Sequence, residues 1–224
     1  MTLSPATITV SGSAEKHIRA ERATVRARIS AKSENDKGQA YDAVARVHNR
    51  LEGQARAFRA SKAATWHHAS SPVSYRYKEL VSASGQAHEY AEFYATQSVV
   101  TVKFQDFDAL ADWLAELADE PLVDTGRVEW DITVDTREKN ESSVRTRAVK
   151  NARTLATDYA AGEDISPDAL RLKSIDASTS SGPHYAAASA RGAVGGSGHA
   201  TVAIVPDEIT IKAEVTAVYT AEEV

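Results

Sequence analysis

Apolar and polar residues alternate along several short stretches of the chain, which is the pattern of strands with one buried face. Ile8 and Val10 open the first stretch, and the letters SGSAEKH that follow are typical of a turn. The alternation resumes over residues 24–31, where Arg26 and Arg28 occupy polar positions. We therefore predict two strands, the second with one buried face and one wet, basic face.

The apolar period changes to three and four residues in three places, which predicts helices. The first covers residues 34–60, the second follows Asp106, and the third covers residues 137–161. Asp106 is well placed to cap its helix, because aspartate accepts hydrogen bonds from the first free amides. The predicted apolar stripes include Tyr41 and His48 in the first helix, and Leu155 and Tyr159 in the third.

Further strands are predicted on both sides of the last two helices. Alternation over residues 73–78 and 88–104, joined by the turn-like SASGQ, predicts a long projecting hairpin. GRVEWDITVDT, residues 126–136, alternates most cleanly, and LRLKSIDA and EITIKAEVTAVYT predict two more strands. Residues 178–199 are rich in Gly, Ala and Ser and predict a flexible excursion.

This order of elements predicts an α+β fold, with a mainly antiparallel sheet packed by two or three helices. Regular strand–helix alternation, which a doubly wound parallel sheet needs, is absent from the pattern. We interpret residues 1–224 as a single domain.

Composition limits the chemistry that the chain can perform. Hydrophobic residues make up 42% and charged residues 25%, as in folded soluble proteins. A net charge of −5 disfavours nucleic acid as a partner. With no cysteine there is no disulfide, thiolate nucleophile or cysteine-zinc site.

The sequence shows neither a signal peptide nor a membrane-spanning segment. The first ten residues lack the charged and apolar regions of a signal peptide, and no window approaches ~20 apolar residues. We expect no membrane insertion and a cytoplasmic location as written, or a periplasmic or exported one if a signal was removed.

Three motifs suggest catalysis or metal binding, but each is better explained as an ordinary part of the fold than as a functional site. His67 and His68 would point to opposite faces of a strand, and HEYAE, residues 88–92, has Glu92 where a zinc site needs its second histidine. GAVGGSGH lacks the ending of a phosphate-binding loop. We predict no catalytic, cofactor-binding or metal-binding residues, and therefore no enzyme.

Aromatic residues concentrate in the predicted hairpin, where they suit a partner surface because they bury much area with few rotatable bonds. They suit a ligand pocket or an ordinary core equally well. Together with two arginines of the second strand they form the candidate interface: Arg26, Arg28, Tyr75, Tyr77, Tyr90, Phe93 and Tyr94.

Several segments in order resemble the SIMPL-domain family. ITVSGSAE with the following ERATVRARIS resembles its opening, TQSVVTVKFQDFDALADWLAEL its middle strand and helix, and EITIKAEVTAVYT its closing strand. The long Ala/Arg/Lys-rich helix of residues 137–161 also fits. Glu21 and Arg22 stand where the family has Pro-Asp.

The resemblance implies a two-layer α+β protein that forms large ring-like or channel-like homo-oligomers. It also implies a link to bacterial stress tolerance or kinase signalling, with no assigned catalytic residues. We therefore expect a non-enzymatic homo-oligomer whose partner is itself, with any other protein partner unknown. The alternative is a module that binds a small ligand or a partner protein between helix and sheet, under residues 178–199.

Overall fold

The computed structural model describes residues 6–34, 36–84, 87–183 and 204–221; of residues 81–84, 87–89 and 183 it describes the backbone alone. Three helices accompany strands that all pair antiparallel within these ranges, so the predicted α+β class is confirmed. The elements in chain order are β1 (Thr7–Arg19), β2 (Arg22–Glu34), α1 (Lys37–Ala60), β3 (Ala64–Ala69), β4 (Val73–Ser84), β5 (Ala87–Phe104), α2 (Phe107–Ala118), β6 (Val123–Thr125), β7 (Glu129–Asp131), α3 (Val134–Gly162), β8 (Leu170–Pro183) and β9 (Glu208–Ala221).

The chain divides into two compact units. The first unit contains the described residues within 1–20, 132–190 and 206–224, and the second those within 21–131 and 191–205. That residues 1–224 act as a single domain stays a prediction.

The first unit is a three-stranded sheet in the order β1-β9-β8, with α3 packed on one face. As predicted, Ile209, Ile211, Ala213 and Val215 share one face of β9, and all four are buried. Their neighbours Lys212 and Glu214 are exposed on the opposite face.

The predicted turn at SGSAEKH is wrong, because β1 runs through it without interruption. Gly12 lies inside the strand, directly beneath α3. A Cβ atom at this position would lie 2.3 Å from the carbonyl oxygen of Ala148 and 2.5 Å from the backbone nitrogen of Ala152. The glycine therefore serves close helix–sheet packing rather than a change of direction.

Helix α3 differs from its prediction at both ends. Thr133 accepts a hydrogen bond from the Thr136 amide at 3.3 Å and caps the helix, which begins at Val134. Of the predicted strand 126–136, Glu129–Asp131 alone forms a strand. Leu155 and Tyr159, predicted to be buried, are exposed. The buried stripe instead advances in steps of four: Asn140, Val144, Ala148, Ala152, Ala156 and Ala160.

Strand β8 is longer than predicted, since it continues through residues 178–183. The flexible excursion therefore does not begin at Ser178. Its remainder, residues 184–199, lies outside the described residues.

The second unit is built on a sheet in the order β3-β5-β2-β6, with β4 paired to β5 and β7 paired to β2. Helices α1 and α2 cover one face. Asp106 caps α2 as predicted, because its Oδ1 accepts from the amides of Asp108 and Ala109 at 3.0 and 3.1 Å. The core contains Val25, Ala27 and Ile29 of β2, Val100, Val102 and Phe104 of β5, Val44, Leu51 and Ala55 of α1, and Leu110, Trp113 and Leu117 of α2.

Large side chains fill this core. The rings of Phe58 and Phe104 lie 5.2 Å apart and those of Phe104 and Trp113 5.5 Å apart. His48 is buried, with its Nδ1 3.2 Å from the Ser98 hydroxyl, so the prediction that it faces the protein interior is confirmed. Tyr41 is instead 44% exposed.

Candidate functional site

One face of the second unit's sheet is covered by α1 and α2, and no helix of the described residues covers the opposite face, which we term the outer face. Directly paired residues of antiparallel strands share a face. Arg26 therefore lies beside Thr101, and Lys32 beside Ala95. The outer face consists of Thr24, Arg26, Arg28, Ser30, Lys32 and Glu34 of β2 with their partners on β5 and on the strands that flank this pair.

The seven candidate interface residues do not all lie on this face. Strand register brings five together on the outer face: Arg26, Arg28, Tyr75, Tyr77 and Phe93. Tyr90 and Tyr94 lie on the opposite face, because each is an odd number of residues from Phe93 on β5. Whether any of the seven contacts a partner stays a prediction.

Three aromatic rings form a cluster on the outer face at the hairpin. The ring centroids of Tyr75 and Tyr77 lie 6.0 Å apart, and those of Tyr77 and Phe93 5.9 Å apart. The Nζ of Lys32 lies 5.1 Å from the Phe93 centroid, within cation–π distance. Tyr77 and Phe93 are stacked, whereas Tyr75 is tilted against Tyr77 by 39°.

The hairpin projects, as predicted. Strand β2 ends at Glu34, which pairs with Phe93, and beyond this point β4 and β5 pair only with each other within the described residues. Leu80 and Tyr90 are direct partners on this projecting part and are 46% and 59% exposed. They lie on the face opposite the aromatic cluster, so the hairpin exposes apolar side chains on both faces.

Charges on the outer face are mixed. Lys103 Nζ lies 3.2 Å from Asp131 Oδ2, and Arg26 Nη2 lies 3.5 Å from Glu129 Oε1. Arg28 makes no ion pair among the described residues. The Arg26–Glu129 pair is largely exposed and contributes little to stability, whereas the side chains of Lys103 and Asp131 are only 32% and 36% exposed. The mixture of signs does not favour a polyanion.

Strand β3 places the two neighbouring histidines on opposite sides, as the sequence predicts for an extended segment. His68 stacks with Trp66, with centroids 6.1 Å apart and planes at 14°. The Nδ1 atom of His67 is buried without a hydrogen-bond partner in the described part of the chain. Across those same residues, no three His, Asp or Glu side chains are grouped as metal ligands would be.

The other two motifs give no site. HEYAE forms part of strand β5 rather than a helix. GAVGGSGH lies outside the described residues.

Sequence reasoning missed that Trp66, His68 and Lys103 approach one another on the outer face. Trp66 and His68 are two residues apart and so share a face of β3, a signal present in the letters ATWHHA. Their neighbour on β5 is set by strand pairing across 35 or more residues, which no local pattern contains.

Two helix-covered antiparallel sheets define the class of the protein as α+β. The family model of SIMPL, described as a protein of unknown function (DUF541), matches residues 8–219. The chain belongs to the SIMPL family. No curated protein matches the chain, and none of the helices in the described ranges is both long and apolar enough to cross a membrane.

Proposed function

We propose that this protein is a non-enzymatic SIMPL protein that assembles with copies of itself through the projecting hairpin of β4 and β5. One observation carries the proposal: the hairpin exposes Leu80 and Tyr90 on one face and the aromatic cluster on the other. A two-stranded hairpin alone in water is only marginally stable. Contact with a second copy would bury both apolar faces.

Strand β4 also offers a free edge, because among the described strands it pairs only with β5. Unpaired backbone groups at such an edge are a template for pairing with another strand. Two copies of β4 can pair antiparallel about a two-fold axis, the commonest symmetry of homo-oligomers. Edge pairing would then position the aromatic clusters of both copies beside the contact.

The charges favour a second copy over a nucleic acid. Lys32 pairs with Glu79 at 3.2 Å across the base of the hairpin, and Arg76 pairs with Glu92 at 3.4 Å within it. A surface that carries both signs is complementary to itself. A polyanion would meet the acidic residues as well as the basic ones. A link to stress response is part of the proposal and rests on the family resemblance alone.

Sedimentation velocity and mass photometry test the assembly. We expect the wild type to be oligomeric at micromolar concentration. The double substitution Leu80→Ser and Tyr90→Ser should weaken self-association at least about tenfold, since it removes two exposed apolar contacts. Circular dichroism should show that the variant stays folded.

The matched control is the double substitution Leu155→Ser and Tyr41→Ser, which removes the same residue types from exposed positions of α3 and α1. It should leave the oligomer unchanged. A wild type that is strictly monomeric throughout the micromolar range, or an oligomer insensitive to the hairpin substitutions, contradicts the proposal.

A further inference from the structure

A shallow depression lies on the outer face at the end remote from the hairpin tip. It has a volume of about 650 Å³, within the range of small-molecule sites. Ten residues of β5 separate Phe93 from Lys103, which at the usual strand rise is roughly 34 Å. The residues that line the depression are Thr24, Arg26, Trp66, His68, Val99, Thr101, Lys103 and Glu129.

An aromatic pair forms one wall of the depression. Trp66 is 45% exposed, although it stacks in parallel with His68. Nothing in the hydrophobic core of the second unit uses this pair. An exposed parallel stack offers apolar, polarisable surface to a planar ring.

The opposite wall carries a cation that is poorly held by its own partner. Arg26 and Glu129 are 3.5 Å apart, and both side chains are more than half exposed. Such a pair is weak, so the Arg26 guanidinium can also donate hydrogen bonds to the carboxylate of a ligand. The cations Arg26 and Lys103 and the carboxylate Glu129 line the depression. Arg28 lies next to Arg26 on the same face of β2 and makes no ion pair among the described residues.

The spacing of the two walls sets the size of the ligand. His68, Thr101 and Arg26 are consecutive partners across three strands. At the usual strand spacing, the Cα atoms of His68 and Arg26 are therefore about 10 Å apart. This span suits one or two fused rings with an acidic substituent, and Thr101 lies between His68 and Arg26 in the strand register.

We propose that this depression binds a small planar aromatic carboxylate, with its ring against the Trp66–His68 stack and its carboxylate at Arg26. The site is separate from the proposed assembly surface and does not depend on it. The weakly paired guanidinium of Arg26 favours an anion, and the Trp66–His68 stack favours an aromatic one.

Saturation-transfer NMR with 2-naphthoate tests the proposal and is suited to a protein of any assembly size. We expect a Kd of about 1 mM or tighter for a ligand of this size. Neutral 2-naphthalenemethanol and cationic 2-naphthylmethylamine carry the same rings and should bind at least about fivefold more weakly. Equal or tighter binding of either compound overturns the proposal.

Substitutions locate the binding. Trp66→Thr, which keeps a strand-forming residue, and Arg26→Gln should each weaken 2-naphthoate at least about fivefold. Tyr41→Thr and Arg56→Gln on α1 are matched controls and should bind like the wild type, as should the Leu80→Ser and Tyr90→Ser variant. The proposal is contradicted if the wild type shows no detectable binding of 2-naphthoate, or if the control variants lose as much affinity as the site variants.

Discussion

The two units of this protein pack helices on antiparallel sheets with side chains of opposite size. In the first unit, α3 approaches β1 through Ala148 and Ala152 above Gly12, where an added Cβ would meet backbone atoms. In the second unit, Leu51 and Trp113 fill the space between helices and sheet. The first interface therefore has no room for added atoms, while the second depends on large side chains.

This difference predicts opposite sensitivities. Added volume should harm the first unit most, because close backbone contact cannot yield. Removed volume should harm the second unit most, because it leaves a cavity.

The largest effect is expected for Gly12→Val. The new side chain begins 2.3 Å from the Ala148 carbonyl oxygen, so α3 must move away from the sheet. We expect the free energy of unfolding, measured in urea, to fall by more than about 4 kcal/mol. Gly53→Val in α1 is the control, because a Cβ there meets nothing within 4 Å. Its free energy of unfolding should stay within about 0.5 kcal/mol of the wild type. Equal losses in both variants would show that α3 is not packed this closely.

The next effect is expected for Leu51→Ala, at a fully buried position of the second unit. The cavity should lower the free energy of unfolding by about 3 kcal/mol in urea titration. Leu155→Ala makes the same change on α3, where the leucine is 41% exposed, and should cost about 0.5 kcal/mol or less. If Leu155→Ala lowered the free energy of unfolding more than Leu51→Ala, removed volume would harm the first unit more, contrary to the prediction.

A smaller effect is expected for Ser98→Ala, which removes the hydroxyl 3.2 Å from His48 Nδ1. Because His48 is only 7% exposed, water replaces this partner poorly. The free energy of unfolding should fall by about 1 kcal/mol in urea titration. Ser30→Ala on the outer face, where the serine side chain makes no hydrogen bond to described residues, should be neutral. If both serines behave alike, the buried hydrogen bond contributes nothing measurable.

The smallest effect concerns the exposed face of the first unit's sheet, where charge rather than packing acts. A hydrogen bond from Lys212 to Glu214, together with the charge of Glu214, raises the pKa of the lysine above its ordinary 10.5. Glu214→Gln should lower this pKa toward the ordinary value, as measured by NMR titration of the lysine side chain. Glu208→Gln, farther along β9, should leave it unchanged.

The sign of the linked stability follows from the raised pKa. The ion pair's contribution is fully present below the ordinary pKa of 10.5 and is lost as pH rises through the raised value. Since Lys212 lies on the exposed face of the sheet, we expect no measurable change in unfolding near neutral pH. An unchanged pKa in Glu214→Gln would contradict this assignment.

Strands with one buried face were predictable because their pattern is local. The alternation of β2 and β9 and the cap at Asp106 each depend on residues a few positions apart. Helix α3 was predicted less well. Its apolar period favours Leu155 and Tyr159, yet close packing above Gly12 selects alanines, and only the sheet beneath the helix makes that choice.

The candidate site shows the same division. Tyr90 and Tyr94 are separated from Phe93 by alternation within β5 itself, which follows once the strand is known to be continuous. By contrast, Arg26 joins Thr101 and His68 only through the register of three strands that are distant in the chain. The outer face could therefore not be assembled from residue patterns alone.

Periodicity was sufficient to derive the α+β class, the projecting hairpin and the wet basic face of β2, and the order of sequence motifs carried the family resemblance. The division into two units, the role of Gly12 and the depression beside Trp66 came only from tertiary structure. The physical reason is that periodicity reports which side of an element turns away from water. It does not report which other element lies against that side, or how closely.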